Sequence, residues 1–208
     1  MNKEKHWENI YKTKELTEVS WYEPVPQISL NLLKNCEVPF DAKIIDVGGG
    51  DSFFVDNLLK LGYLDITVLD ISSEAILRAK KRLEGKAQKV NWIVSDIIDF
   101  KPDSKYDFWY DRAAFHFLTD EDNIKKYLEA VKQGVSDNGI LVIGTFSEDG
   151  PTKCSGIEVK QYSETSLKEQ FSTDFEMIDS FTIDHKTPFE TFQNFAYGVF
   201  KKRTLISL

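Results

Sequence analysis

The stretch from Lys43 to Asp56, KIIDVGGGDSFFVD, constrains the fold more than any other part of the chain. The β-branched run from Ile44 to Val47 predicts a buried strand. Gly48–Gly50 follow it, and backbone without a Cβ can turn sharply and lie close to a ligand. From Ser52 onward, apolar residues recur at helical spacing, and Gly62 is expected to end that helix. Strand, glycine turn and helix together predict the first βα unit of a nucleotide-binding fold.

The residues after the glycines narrow the class of nucleotide. A dinucleotide fingerprint requires a further glycine at the position of Phe53, so an NAD-dependent oxidoreductase is disfavoured. A phosphate-binding P-loop requires Gly-Lys-Ser/Thr, which is absent after the turn. A strand-to-helix turn that binds no ligand stays open at this point.

Strand patterns alternate with helical patterns along most of the chain. After the glycine turn, the predicted strands are Asp65–Leu69, Val90–Val94, Tyr106–Tyr110 and Ile140–Phe146, followed by two longer ones, Phe175–His185 and Thr191–Lys201. Such alternation predicts an α/β fold with a mostly parallel sheet and helices on both faces. The last two strands predict an antiparallel hairpin that completes the sheet.

An acid stands at the end of four of the predicted strands: Asp46, Asp70, Asp96 and Asp111. In open α/β sheets, ligands bind beyond the carboxyl ends of the strands. A single acid there is explained by helix capping, but four in succession around a glycine turn indicate a binding site.

The glycine turn and these acids, in their order from Lys43 to Phe146, resemble the motifs of the class I S-adenosylmethionine (SAM)-dependent methyltransferases, with Ser52 where a further glycine often stands. The resemblance implies a three-layer Rossmann-like sandwich with strand order 3-2-1-4-5-7-6. It also implies SAM as the cofactor and S-adenosylhomocysteine as the product. The tryptophan-containing N-terminal segment and the Asp111-Arg112 pair are similar to those of thiopurine and tellurite-resistance type small-molecule methyltransferases.

The resemblance implies a set of cofactor contacts. They are Trp21, Asp46, Gly48, Gly49, Gly50, Asp70, Ile71, Asp96, Ile97 and Asp111. Asp70 lies about twenty residues beyond the glycines, where a carboxylate accepts both ribose hydroxyls. Asp96 is suited to the adenine amino group, with Ile71 and Ile97 beside the ring. Asp46 and the glycine backbone would face the methionine part.

The acceptor is expected to meet the stretch Tyr106–Asp120, YDFWYDRAAFHFLTD. Asp111 and Arg112 are candidates to orient a polar or anionic acceptor, because a guanidinium offers a bidentate fork. His116 is a candidate base near neutral pH. A structural Asp111–Arg112 ion pair and a buried structural histidine are the open alternatives.

One domain over residues 1–208 is expected from the length. Its first 25 residues contain Trp7 and Tyr11, four apart, which share a face on a helix, and Trp21. This aromatic segment is interpreted either as a tail anchored to the core or as a lid over the bound cofactor.

The amino-acid composition limits the classes of partner that we expect for this protein. A net charge of −8 argues against nucleic acid as a partner. There is no apolar run that could span a bilayer, and the charged start, MNKEKHWEN, is unlike a signal peptide, so we expect no membrane association. Two distant cysteines, Cys36 and Cys154, and three scattered histidines predict no metal site and a cytoplasmic protein. Oligomeric state cannot be predicted from these residues.

The sequence therefore predicts an enzyme that transfers a methyl group from SAM to a small-molecule acceptor. Two alternatives remain: a protein lysine N-methyltransferase with a seven-stranded sheet, and a SAM-binding regulator without catalytic activity.

Overall fold

The computed structural model describes residues 2–203. The predicted domain bounds, 1–208, include Met1 and residues 204–208, which lie outside the described residues. The strands are β1 (Lys43–Val47), β2 (Asp65–Asp70), β3 (Val90–Val94), β4 (Tyr106–Arg112), β5 (Val135–Phe146), β6 (Lys153–Cys154), β7 (Ile157–Glu158), β8 (Phe175–Lys186) and β9 (Phe192–Lys202). The α-helices are α1 (Lys3–Thr13), α2 (Gln27–Asn35), α3 (Phe54–Leu61), α4 (Ser73–Leu83), α5 (Glu121–Gly134) and α6 (Glu164–Phe171).

Seven strands form one sheet in the order β3-β2-β1-β4-β5-β9-β8. The strands from β3 to β5 are parallel to one another, and β9 is antiparallel to both β5 and β8. The two-residue strands β6 and β7 form a separate antiparallel hairpin. Without that hairpin, the order is 3-2-1-4-5-7-6, so the predicted fold class is confirmed.

Two hydrophobic clusters cover the two faces of the sheet, which gives three layers. One cluster packs α5 and α6 against the sheet through residues such as Tyr127 and Phe171. The other packs α2 and α3 through residues such as Leu33 and Phe54. Because successive side chains of a strand point to opposite faces, each strand contributes alternate residues to the two clusters.

The helix boundaries follow from residues that satisfy free backbone groups. Ser72 and Asp120 cap α4 and α5, because their side chains accept hydrogen bonds from the backbone N–H groups of Ala75 and Asn123. Gly62 ends α3 with a φ of 100°, as predicted, and an L side chain there would be strained.

Two predicted strand boundaries differ from the structure by more than one residue. β4 continues past Tyr110 to Arg112 and ends where Ala113 takes a left-handed φ of 68°. β5 begins at Val135 rather than at Ile140, because Val135 pairs with Tyr106 before the register shifts. A positive φ at an alanine is uncommon, and the sequence gives no sign of it.

Within residues 2–203, no helix combines the length and the apolar character needed to cross a membrane.

Candidate active site

A cavity of about 160 Å³ lies at the carboxyl ends of β1, β2 and β4. Nine of the predicted site residues line it: Trp21, Asp46, Gly48, Gly49, Asp70, Ile71, Asp96, Ile97 and Arg112. Gly50 lies beside it, against Tyr11 and Asp70. Asp111 and His116 are not part of its wall. The cavity therefore joins the predicted cofactor residues but only one of the three predicted catalytic residues.

The glycine turn requires residues without a Cβ. At Gly48, φ is 66°, and a Cβ would lie 2.7 Å from the Cβ of Ala114. At Gly49, a Cβ would lie 2.5 Å from the Asp46 Oδ2 atom. These distances are too short for real contacts, so a side chain at either glycine would displace its neighbours.

The Asp46 carboxylate is buried at the cavity wall, and its Oδ2 atom has no hydrogen-bond partner among the described residues. Burial raises its pKa well above the ordinary value of 3.8, and the nearby carboxylates of Asp111 and Asp70 raise it further. Arg112 acts in the opposite direction. An unpaired carboxylate in such a place is matched by a ligand that is cationic or donates hydrogen bonds.

Asp70 stands at the end of β2, and its Oδ1 atom accepts a hydrogen bond of 2.8 Å from the Ser72 N–H. Burial raises the pKa of Asp70 to about 7, although the Ser72 N–H lowers it. The Oδ2 atom lies 2.9 Å from the position of a Cβ at Gly50, so the carboxylate faces the glycine turn. The Gly50 N–H also lowers the pKa of this carboxyl, and a carboxylate has enough lone pairs to accept from hydroxyl groups as well.

Asp96, Ile97 and Ile71 form a further part of the wall, at the ends of β2 and β3. The Asp96 Oδ1 atom accepts a hydrogen bond of 3.2 Å from the Ile98 N–H. Ile97 is buried and Ile71 is half-buried. A carboxylate next to two apolar side chains provides both a hydrogen-bond acceptor and a surface for a flat heterocycle.

The predicted role of Asp111 as a contact of the cofactor or acceptor does not fit its geometry. Its Oδ1 atom accepts hydrogen bonds from the backbone N–H groups of Ala114 and Phe115, at 2.9 and 3.1 Å. Its Oδ2 atom accepts a hydrogen bond of 2.7 Å from the Tyr127 hydroxyl. Since β4 continues through Asp111, the side chain follows the strand alternation and points to the α5 face. The carboxylate stabilises the turn after β4.

The predicted role of His116 as a base also does not fit. The ring is fully buried, and its Nδ1 atom accepts a hydrogen bond of 3.3 Å from the Phe146 N–H. Burial lowers its pKa to about 3, and the positive charge of Arg112 contributes. The imidazole is therefore neutral at physiological pH and too weakly basic to take a proton there. His116 belongs to the short 3₁₀ turn Phe115–Phe117.

Arg112 follows the same alternation to the cavity face, opposite to Asp111. Its guanidinium lies 4.9 Å from the centroid of the Phe195 ring. Tyr110, two residues earlier on β4, lines the same wall, and its hydroxyl lies 2.6 Å from the Ser29 hydroxyl. The structural alternative of an Asp111–Arg112 ion pair is excluded, because the two side chains are on opposite faces of the sheet.

The N-terminal segment covers the cavity. The Trp7 ring packs 5.2 Å from that of Phe117 and 5.8 Å from that of Trp21. The Glu8 Oε1 atom accepts a hydrogen bond of 2.6 Å from the Ser73 N–H at the start of α4. Trp7 and Tyr11 do share a face of α1, as their spacing predicted.

Arg78 on α4 joins this segment to the glycine turn. Its Nη1 atom donates to the carbonyl oxygens of Tyr11 and Lys14, and its Nε atom lies 3.1 Å from the Asp51 Oδ2 atom. Sequence reasoning missed Asp51 and Arg78. An acid directly after the glycines was a visible signal for Asp51, but the distant Arg78 had none.

Another part of the wall combines residues from distant parts of the chain. They include Tyr22, Glu23, Ser29, Tyr110, Phe146, Cys154, Gln193 and Phe195. Phe146 ends β5 and Cys154 ends β6, and both contribute to this wall. Burial raises the pKa of the Cys154 thiol to about 11, so it is not a thiolate nucleophile.

A seven-stranded sheet in this order, with a ligand cavity at the carboxyl ends of its parallel strands, defines the class I methyltransferase fold. A solved structure of a SAM-dependent methyltransferase from Anabaena variabilis has the same fold. It matches with a TM-score of 0.74 and 17% identity, over 98% of this chain and 96% of that one. Residues 45–141, nearly half of the chain, match the methyltransferase domain family. Residues 45–141 therefore match a methyltransferase domain, within a chain that has the class I methyltransferase fold.

Two curated proteins are similar in sequence. Malonyl-[acyl-carrier protein] O-methyltransferase 2 from Ilyobacter polytropus is 28% identical over 51% of this chain, and the chain spans only 40% of that relative. Human EEF1A lysine methyltransferase 2 is 24% identical over 84% of this chain and 74% of its own length. The relatives thus differ in the acceptors that their names state.

The cavity fits the cofactor of this family, and the prediction of SAM is confirmed for the domain. The unpaired Asp46 oxygen is available to the cationic methionine part, and the turn at Gly48 and Gly49 leaves no room for side chains there. Asp70 and Asp96 offer carboxylate acceptors of the kind that ribose hydroxyls and an adenine amino group require.

Proposed function

We propose that this protein is a SAM-dependent methyltransferase that moves a methyl group to a nucleophilic atom of a small-molecule acceptor. The observation that carries the proposal is the unpaired, buried carboxylate of Asp46 at the wall of a cavity covered by the N-terminal segment. Such a carboxylate is costly unless a complementary ligand binds. A covered cavity favours an acceptor small enough to enter it.

In this proposal, Asp70 accepts the ribose hydroxyls, and Asp96 accepts from the adenine amino group between Ile71 and Ile97. Asp46, with the backbone of Gly48–Gly50, faces the methionine part, and Trp21 covers it. The cofactor supplies an electrophilic methyl group on a sulfonium, and transfer is an in-line displacement that needs alignment and exclusion of water. Arg112 orients the acceptor. We assign no general base, since His116 is neutral and outside the cavity wall.

A protein lysine N-methyltransferase is the second candidate. It is favoured by the similarity to human EEF1A lysine methyltransferase 2, which covers 84% of this chain. A protein acceptor would have to insert a lysine side chain past Trp7 and Trp21. A regulator that binds SAM without turnover is the third candidate.

We further propose that residues 1–208 form one domain, that residues 1–25 act as a lid, and that the protein works in the cytoplasm without a nucleic-acid or membrane partner. The packing of Trp7 and Glu8 against the rest of the fold supports a lid that closes on the cavity.

One labelling experiment separates the three candidates. Purified protein is incubated with methyl-labelled SAM and either a small-molecule extract or a protein extract of cells. Label in small molecules is the expected result. Label confined to protein supports the lysine methyltransferase, and no label in either, with SAM binding intact, supports the regulator. If calorimetry detects no binding of SAM or S-adenosylhomocysteine, all three candidates fail.

A further inference from the structure

The guanidinium of Arg112 is a cation in the cavity wall without an ion-pair partner. The ion pairs that residues 2–203 form do not include it. Within residues 2–203, its buried Nη2 atom has no carboxylate or carbonyl acceptor, and the neighbouring group is the neutral hydroxyl of Tyr197. A buried donor that is left unpaired carries the full cost of its desolvation.

The carboxylates near the cavity are engaged elsewhere. Asp51 pairs with Arg78, and Asp96 accepts from the Ile98 N–H. Asp70 accepts from the Ser72 N–H, and Asp46, which attracts Arg112 without forming an ion pair with it, is assigned to the cofactor.

Glu23 is the remaining carboxylate on this side of the wall. Its Oε1 atom accepts a hydrogen bond of 3.3 Å from the Gln27 N–H at the start of α2, and it acts on Arg112 only from beyond ion-pair distance. Its Oε2 atom lies 3.9 Å from His185, whose pKa burial lowers to about 4, so that histidine is neutral.

The surroundings of Arg112 are shaped for a small organic group. The Phe195 ring lies against the guanidinium, Tyr110 and Phe146 continue the apolar wall, and the Ser29 and Tyr110 hydroxyls add polar contacts. An arginine held against an aromatic ring presents its planar fork in a fixed direction, which suits a carboxylate.

We propose that Arg112 binds an anionic group of the acceptor, so that the acceptor is a small organic anion, with a carboxylate as the group that matches the guanidinium. This inference rests on the proposed methyltransferase function and names the substrate class of the same cavity. It also disfavours lysine as the acceptor, because a protonated ε-amino group next to Arg112 would place two cations in a poorly solvated cavity.

The test compares ligands that share a carbon skeleton and differ in charge. Protein saturated with S-adenosylhomocysteine is titrated with phenylacetate, phenylacetamide and phenethylamine, and with hexanoate, hexanamide and hexylamine. Binding is followed by saturation-transfer NMR and calorimetry. We expect the acids to bind at least tenfold more tightly than the amides and amines, since a charge-assisted hydrogen bond is worth that much.

Variants assign the preference to Arg112. In Arg112→Met the preference for acids should disappear, and in Arg112→Lys part of it should remain. Lys60→Met, which removes an exposed charge on α3, should behave as the wild type. Glu23→Gln should not weaken the binding of acids.

Two results would overturn the inference: acids that bind the wild type no better than the amides, including no binding at all, or an acid preference that survives in Arg112→Met. The wild-type comparison does not depend on the folding of any variant. Titration with S-adenosylhomocysteine alone checks the proposed function separately, and each variant that retains this binding is folded at the cavity.

Discussion

At the scale of single residues, the neighbouring side chains of Asp111 and Arg112 on β4 have different roles. Asp111 holds the turn after the strand, and Arg112 faces the cavity. The sequence indicated that both belonged to the site, because they follow a strand in a glycine-turn fold. It did not show that the strand continues through them, and only the continued alternation separates their roles.

The raised pKa of Asp70 predicts that the affinity for the cofactor depends on pH. Its pKa of about 7 lies above its ordinary 3.8, so the carboxyl is largely neutral at pH 6 and ionised at pH 8.5. An ionised carboxylate accepts both ribose hydroxyls, whereas a neutral one accepts less strongly. We therefore expect the affinity for S-adenosylhomocysteine, measured by calorimetry, to fall as the pH decreases through about 7.

Asp70→Asn should lower this affinity by about tenfold or more at pH 8.5 and remove most of the dependence on pH. Asp65→Asn, an exposed position at the other end of β2, is the matched control and should change neither. Equal affinity of Asp70→Asn and wild type at pH 8.5 would contradict the ribose assignment.

Asp46 provides a prediction on stability. Folding raises the pKa of this carboxyl group above its ordinary value of 3.8. The group therefore contributes its full stability to the folded state at pH values below 3.8, and this contribution is lost as the pH rises toward the folded-state pKa. Asp46→Asn removes the buried charge, so without ligand the variant should be more stable than wild type, by about 1–3 kcal/mol.

Thermal unfolding at pH 5 and pH 8 measures this effect. The gain should be larger at pH 8 and accompanied by weaker SAM binding, since a residue kept for a ligand is costly without it. A variant less stable than wild type at pH 8 would show that Asp46 has a stabilising partner in the free protein.

At the scale of elements, the turn after β4 depends on the side chain of Asp111. Asp111→Ala leaves the Ala114 and Phe115 N–H groups and the Tyr127 hydroxyl without their acceptor. We expect a loss of about 1–3 kcal/mol in the free energy of unfolding, measured with urea. Affinity for S-adenosylhomocysteine should stay within about threefold of wild type. A large loss of affinity with unchanged stability would show that Asp111 contacts the ligand.

The contacts that tie the N-terminal segment to the fold include those of Glu8 and Arg78. Arg78→Met removes the bonds to the Tyr11 and Lys14 carbonyls and the ion pair with Asp51. We expect faster hydrogen exchange in residues 3–22 and weaker binding of S-adenosylhomocysteine, by about tenfold.

Lys81→Met, an exposed change on the same helix, serves as the control and should leave the exchange rates unaltered. Unchanged exchange in Arg78→Met would show that the aromatic packing of Trp7 and Trp21 holds the segment without this arginine.

At the scale of the whole molecule, the sheet and its connections were predictable, because their signals are local and repeated. Ile44 to Val47 and Gly62 illustrate this: strand pattern and helix stop each lie within a few residues. The cover of the cavity was only partly predictable. Trp7 and Tyr11 were recognised as sharing a helix face, but the contact of Trp7 with Phe117 joins segments far apart in the chain.

Two of the predicted catalytic residues, Asp111 and His116, do not line the cavity, for a related reason. His116 was chosen for its ordinary pKa near neutrality, but that pKa depends on burial and on the charge of Arg112, which only the folded chain defines. The turn at Ala113, with its positive φ, decides where the following residues point, and no pattern in the sequence announces it.

If Arg112 binds the acceptor as proposed, the alternation on β4 makes the acceptor specificity adjustable one residue at a time. In the proposed function, Tyr110 and Arg112 form the wall that meets the acceptor, while Trp109 and Asp111 belong to the opposite layer. A library that varies only the first pair would sample new acceptors while leaving the hydrophobic layer beneath α5 intact. A library that varies the second pair would mainly lower the free energy of unfolding, because Asp111 holds the turn after β4.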